Sequence, residues 1–129
     1  MAKEAAGKST PKINSKKKGN KGELEVVHLF EDFGFSAERT QQFCGNSGEA
    51  ADIKVKELPG FHIESKRVEK FNLYAAYDQV KRDRGPDKDY GVIFHRRNRK
   101  PMVAIMDAEE FLELLTIVRG VVLSSDQST

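Results

Sequence analysis

Apolar and polar positions recur with two different periods along this chain, and the switches between them mark its elements. Leu24, Val26, Val27, Leu29, Phe30 and Phe33 fall at helical spacing and stop at Gly34, which predicts a helix ending on a glycine cap. Residues 36–43 then read as a strand, followed by a polar loop over 44–51 and a short run over 52–56. Leu58-Pro59-Gly60 marks a tight turn, so 52–56 and Phe61–Arg67 should pair as an antiparallel hairpin that brings Asp52 towards the Glu64 end of its neighbour. Asn72 is a candidate N-cap for a helix over Leu73–Arg84, ended by Gly85-Pro86. Residues 90–95 and 102–106 predict two more strands around the turn Arg96-Arg97-Asn98-Arg99-Lys100-Pro101. Asp107-Ala108-Glu109-Glu110 opens a last amphipathic helix over 111–119, with Gly120 as its stop. The order helix, three strands, helix, two strands, helix predicts an α/β fold with a mixed central sheet flanked by helices.

Phase along the first helix separates its carboxylates. At about 100° per residue the apolar set centres near the direction of Glu23, while Glu25, His28 and Asp32 fall on the opposite face. Glu23 is therefore expected to point inward, where a carboxylate is costly to bury unless it is paired or binds a metal. Glu25 is expected to be a solvated charge.

The chemistry concentrates in Phe61-His62-Ile63-Glu64-Ser65-Lys66-Arg67. Successive strand side chains point to opposite faces, so His62, Glu64 and Lys66 share one face and Phe61, Ile63 and Arg67 the other. A carboxylate beside an ammonium, with Asp52 arriving from the previous strand, suits a hard divalent ion such as Mg²⁺ and an activated water.

Composition sharpens this picture. At 129 residues the chain is expected to be one domain over 18–123, preceded by an arm over 1–17 and followed by a frayed tail over 124–129. The net charge of +2 hides an asymmetry: residues 1–22 hold seven lysines and one glutamate, +6, which leaves −4 on the remainder. The arm has no hydrophobic periodicity and is expected to be disordered, either a solubilising tail or a source of salt-dependent phosphate contacts. Cys44 stands alone, which excludes an internal disulfide and a zinc-finger framework and fits a reducing cytosol. No apolar run approaches the roughly 18 residues of a membrane span, and no signal peptide opens the chain, so a cytoplasmic protein of a bacterium, an archaeon or a phage-infected cell is expected.

Lys18-Gly19, Glu23-x-Glu25, Gly34-Phe35 and Arg39 together resemble the N-terminal motif of archaeal-type Holliday junction resolvases. Asp52 followed by Ile63-Glu64-Ser65-Lys66 is similar to the D…ExK core of the PD-(D/E)xK nuclease superfamily, and Arg67-Val68-Glu69 with Asn72-Leu73-Tyr74 resembles small phage-encoded resolvase-like nucleases. Ala51 stands where the superfamily carries proline, and Thr40-Gln41-Gln42-Phe43 where serine- and glycine-rich sequence is commoner.

The resemblance implies a restriction-endonuclease-like core and a metal-dependent endodeoxyribonuclease acting on branched DNA as a homodimer, with no membrane partner. It implies that Asp52, Glu64 and the Ser65 carbonyl hold Mg²⁺, with Mn²⁺ possible, that Glu23 binds the ion or one of its waters, and that Lys66 orients the attacking water. Arg39 matches the pattern and is expected either at the scissile region or in a surface ion pair. Ser47 takes the loop-serine place, and Gln79 either lies near the lysine, as in related nucleases, or is an exposed amide. Lys18, Lys21, Arg67 and the turn residues Arg96, Arg97, Arg99 and Lys100 are the expected DNA contacts. A structure-specific nickase or flap nuclease of the same superfamily, or a non-catalytic nucleic-acid-binding protein, are the alternatives.

Overall fold

The computed structural model describes residues 19–40 and 52–127. The expectations for the arm over 1–17, for Lys18, and for the loop with Ser47 and Ala51 lie outside the described residues.

The first helix, α1, spans 19–32. It closes as the glycine predicts: Gly34 takes φ 90°, its N–H donates to the Glu31 carbonyl, and the Phe35 N–H reaches back to Phe30 at 3.0 Å. This double closure needs a residue at positive φ, which glycine adopts without a Cβ penalty. Val26 and Val27 are buried, whereas Leu24 and Phe33, expected in the same stripe, are exposed.

Five strands follow in spatial order β1 (Ala37–Arg39), β2 (Ile53–Val55), β3 (Phe61–Arg67), β4 (Tyr90–Arg96) and β5 (Val103–Met106). The β1–β2, β2–β3 and β4–β5 pairs are antiparallel, and β3–β4 is parallel from Phe61↔Tyr90 to Arg67↔Arg96. A parallel pair needs a long crossover, supplied here by α2 (Leu73–Arg84). Asn72 caps α2 by accepting the Ala75 N–H at 3.1 Å, and Gly85 ends it at φ 67°. The mixed α/β sheet and the expected hairpin are both observed.

Each face of the sheet is covered by one helix. Ile53, Val55 and Ile63 pack with Val26 and Val27 of α1, and Ile93 packs with Tyr77 and Val80 of α2. Strand alternation and the β3–β4 register put His62, Glu64 and Lys66 on the Ile93 side, beneath α2, and Ser65 and Arg67 on the α1 side. Among the aromatics at and near this helix, Tyr77 is buried and Phe71 half-buried, while Tyr74 is exposed.

The last helix, α3 (Ala108–Gln127), corrects the expected stop at Gly120 and takes in residues 124–127 of the expected tail. A glycine inside a helix costs only about 1 kcal/mol, and the Val121-Val122-Leu123 run continues beyond it. The start of α3 is fixed by Asp107, which accepts the Glu109 and Glu110 N–H groups, and by Glu110, which pairs with Arg84 and accepts the Gly91 N–H at 3.1 Å. Beyond that anchor, Phe111, Leu112, Leu115, Ile117, Val118, Val121, Val122 and Leu123 are all exposed.

Candidate active site

Asp52 sits immediately before β2, with its backbone N–H donating to the Ile63 carbonyl at 3.1 Å and its Oδ2 accepting the Ser65 N–H at 3.0 Å. The hairpin thus places the carboxylate of one strand against the backbone of the next. Burial pushes the Asp52 carboxyl up to about 7, and the negative charges of Glu64 and Glu23 push in the same direction. The Ser65 N–H and the Lys66 ammonium pull against them. Glu64, Glu23 and Lys66 therefore all lie within electrostatic reach of Asp52, although the four come from three different parts of the chain.

Individual partners distinguish these groups. Glu64 Oε2 lies 2.7 Å from Nε2 of His62, whose side chain is only 1 % exposed. His62 is not at an exposed edge, because β3 is central in the sheet and α2 covers this face. Glu23 accepts from Arg39 Nε at 2.8 Å, and Arg39 Nη2 donates to Asn20 at 3.0 Å. Arg39 thus forms the ion-pair alternative of its two expected roles, beside the site rather than away from it.

The expected ligand set is not assembled in advance. Among the described residues no three His, Cys, Asp or Glu side chains gather closely enough to hold an ion by themselves. The donor chemistry nevertheless fits a hard divalent cation: Asp52 and Glu64 offer carboxylate oxygens, and burial with like charge makes the ionised form of Asp52 costly. A cation is the charge that such an arrangement lacks.

Glu25 differs from its expectation. It reaches Arg67 Nε at 3.3 Å and Arg96 Nη1 at 3.2 Å, and is only 20 % exposed. The Arg67 contact misses hydrogen-bond direction, so Glu25 Oε1 and Arg67 Nε are buried without a hydrogen bond. Arg67, expected at DNA, also donates to Asn98 at 3.2 Å and is 9 % exposed, so it is a structural link rather than a free cation. Arg96 is split between Glu25 and the Lys100 carbonyl, and the turn it braces presents Arg97, Arg99 and Lys100 to solvent. Lys21 and Gln79 are exposed on their helices.

Gly22 is a further residue that sequence reading passed over. A Cβ there would lie 2.8 Å from Arg67 Cβ and 3.2 Å from Ser65 Oγ. This close approach seats the first turns of α1, with Glu23, against β3. Gly22→Ala is expected to destabilise the protein by about 1–3 kcal/mol, the usual cost of overpacking, and to move Glu23 away from Asp52. Thermal melting and comparison of α1 amide shifts would check this.

No protein-family model and no curated protein matches the chain. Among solved structures, Hjc of Archaeoglobus fulgidus, a Holliday junction resolvase from an archaeal hyperthermophile, matches with a TM-score of 0.53 at 17 % identity. The match covers 68 % of this chain and 76 % of that one. The fold is therefore shared with that resolvase. No helix among the described residues is long and apolar enough to cross a membrane.

Proposed function

We propose that this protein is a metal-dependent, structure-specific DNA endonuclease that resolves four-way junctions by paired phosphodiester hydrolysis. The observation that carries the reading is Asp52, buried at a strand start and held near pKa 7 by its surroundings, with Glu64 and Lys66 beside it. Ordinary surface carboxylates have no such environment, and perturbed groups of this kind cluster at functional sites. The shared fold with an archaeal resolvase supports the same reading.

Asp52, Glu64 and the Ser65 carbonyl would hold Mg²⁺ or Mn²⁺, with Glu23 on the ion or one of its waters. When bound, such an ion lowers the pKa of a coordinated water and neutralises charge on the phosphoryl oxygens. Asp52 would hold the ion as the carboxylate, the form that its burial makes costly without a cation. Lys66 orients the attacking water and stabilises the charge that builds on the phosphate. Arg97, Arg99 and Lys100, exposed at one loop tip, anchor the DNA backbone. Lys18, Lys21 and the arm add salt-dependent attraction.

Two symmetric cuts need two sites in fixed relation, which a twofold dimer provides. The α3 surface suits that role. Phe111, Leu115, Val118 and Val122 form an exposed stripe spaced four, three and four residues apart. That spacing is its own mirror image. An antiparallel copy would set Phe111 against Val122 and Leu115 against Val118 across the twofold axis, along a helix of 20 residues and about 30 Å. Leu115→Glu with Val118→Glu is expected to give a folded monomer that makes single nicks. Sedimentation and two-strand cleavage assays would check it, and a dimer surviving both substitutions would remove α3 from the interface.

The direct test is incubation with labelled four-way junction, flap and linear duplex DNA, with and without Mg²⁺ or Mn²⁺. Metal-dependent paired cuts in the junction are expected, with linear duplex left intact. Failure to cut any of the three would overturn the proposal.

A further inference from the structure

Glu64 is attached to a residue that the proposed reaction does not yet use. His62 precedes it by two positions on β3, so both side chains stand on the same face of the strand. The imidazole is 1 % exposed, and its Nε2 lies 2.7 Å from Glu64 Oε2. A carboxylate oxygen accepts, so this contact selects the His62 tautomer that carries its proton on Nε2. β2 and β4 flank His62 on either side and α2 covers its face, with Val80 and Ile93 among the largest fully buried side chains there. The ring is thus fixed by packing, and the carboxylate it holds is half-buried above it.

We infer that His62 is a positioning residue for Glu64, holding one carboxylate oxygen from beneath the sheet surface so that the other is directed to a divalent cation shared with Asp52. The inference rests on the metal reading proposed above and adds a residue that neither touches DNA nor ligates the ion. Without His62, Glu64 would be free to turn to other rotamers, away from Asp52. Its reach to the cation would then have to be won back from several rotamers at each binding event. Hydrogen bonds of this kind to a ligating group typically change metal affinity by about 10–100-fold. The effect falls on how well the ion is held, not on the chemistry once it is held.

Three variants separate positioning from packing. His62→Phe keeps the ring and removes the donor. His62→Gln keeps an N–H near the position of Nε2 and removes the ring. Glu64→Gln removes the ligand itself. Mn²⁺ binding by DNA-free protein, read from the free-ion signal in electron paramagnetic resonance, gives affinity without any activity measurement. Thermal melting without metal reports folding, and junction cleavage against Mg²⁺ concentration separates metal demand from maximal rate. His62→Phe is expected to bind Mn²⁺ about 10–100-fold more weakly and to regain most of its cleavage rate at saturating metal. His62→Gln is expected to stay within about threefold of wild type, and Glu64→Gln to lose binding altogether. Wild-type Mn²⁺ affinity in folded His62→Phe would overturn the inference. So would a loss in folded His62→Gln as large as in His62→Phe, since the donor would then not matter. Should His62→Phe fail to fold, His62→Gln decides: near wild-type affinity sustains the inference, and a tenfold loss overturns it. A wild type that takes up no Mn²⁺ overturns both this inference and the metal reading, whereas one that binds Mn²⁺ but cuts no DNA overturns the nuclease reading alone.

Discussion

Asp52→Asn is expected to abolish junction cleavage and, in the same molecule, to stabilise the metal-free protein above pH 7. The two effects share one cause. In the folded chain the Asp52 carboxyl is raised from 3.8 to about 7, first by burial and then by Glu64. The folded state therefore keeps a proton that the unfolded chain has already released. Its contribution to stability is full at acid pH, declines as pH rises from about 4 to about 7, and stays lost above that. Asparagine carries no charge to desolvate, yet its oxygen can still accept the Ser65 N–H. At pH 8 we expect about 1–3 kcal/mol of added stability, well within the 1.36 kcal/mol per pKa unit that a shift of this size allows. For a domain of this length that is several degrees in melting temperature.

Added Mg²⁺ should reverse the ranking. Binding to the folded state alone stabilises wild type by about 2.7 kcal/mol at a hundredfold excess over Kd, and the Asn variant should gain almost nothing. Melting curves from pH 4 to 8, with and without Mg²⁺, provide the check. Parallel wild-type and variant profiles across that range would mean that Asp52 is not held protonated. Retained cleavage by Asp52→Asn would remove it from the site.

What the sequence discloses here is what local chemistry decides. β3 and α2 have the predicted bounds because Leu58-Pro59-Gly60, Asn72 and Gly85 are punctuation whose effect depends on near neighbours. The approach of Asp52 to Glu64 is also legible, since a hairpin fixes register over a few residues. Glu25 is misread, and the burial of His62 is not foreseen, for a different reason: their surroundings come from elements distant in sequence. The helical wheel equates the apolar centre with the inward direction, but α1 borders the ends of β3 and β4, where Arg67 and Arg96 wait for a carboxylate. A signal was present in strand parity, which puts Arg67 on the same face as Ile63 and so towards α1. His62 needed knowledge that β3 is central and α2 lies over it. The run of α3 past Gly120 needed a weighing of one glycine against three following apolar residues.

The revised place of Glu25 changes what mutation of the two α1 carboxylates should do. Glu23→Gln is expected to lose most cleavage activity with little change in melting temperature. Its partner Arg39 is 38 % exposed, and an ion pair at that exposure contributes about 0–1 kcal/mol. What is lost is a charge near Asp52. Glu25→Gln should do the reverse. The amide leaves Arg67 and Arg96 facing each other without a counter-charge, with Arg67 only 9 % exposed. Removing one partner of a fully buried pair costs about 3–5 kcal/mol, and at 20 % exposure of Glu25 we expect about 1–3 kcal/mol. Cleavage should fall only as far as α1 loosens, and should recover on cooling. Replacing the pair together, Glu25→Leu with Arg67→Met, should regain part of the stability, since a well-packed apolar pair avoids the desolvation that the ions suffer. Thermal melts and cleavage rates at two temperatures would separate the carboxylates cleanly. Equal melting temperatures for wild type and Glu25→Gln would return Glu25 to the solvated surface and leave Arg67 without a reason to be buried.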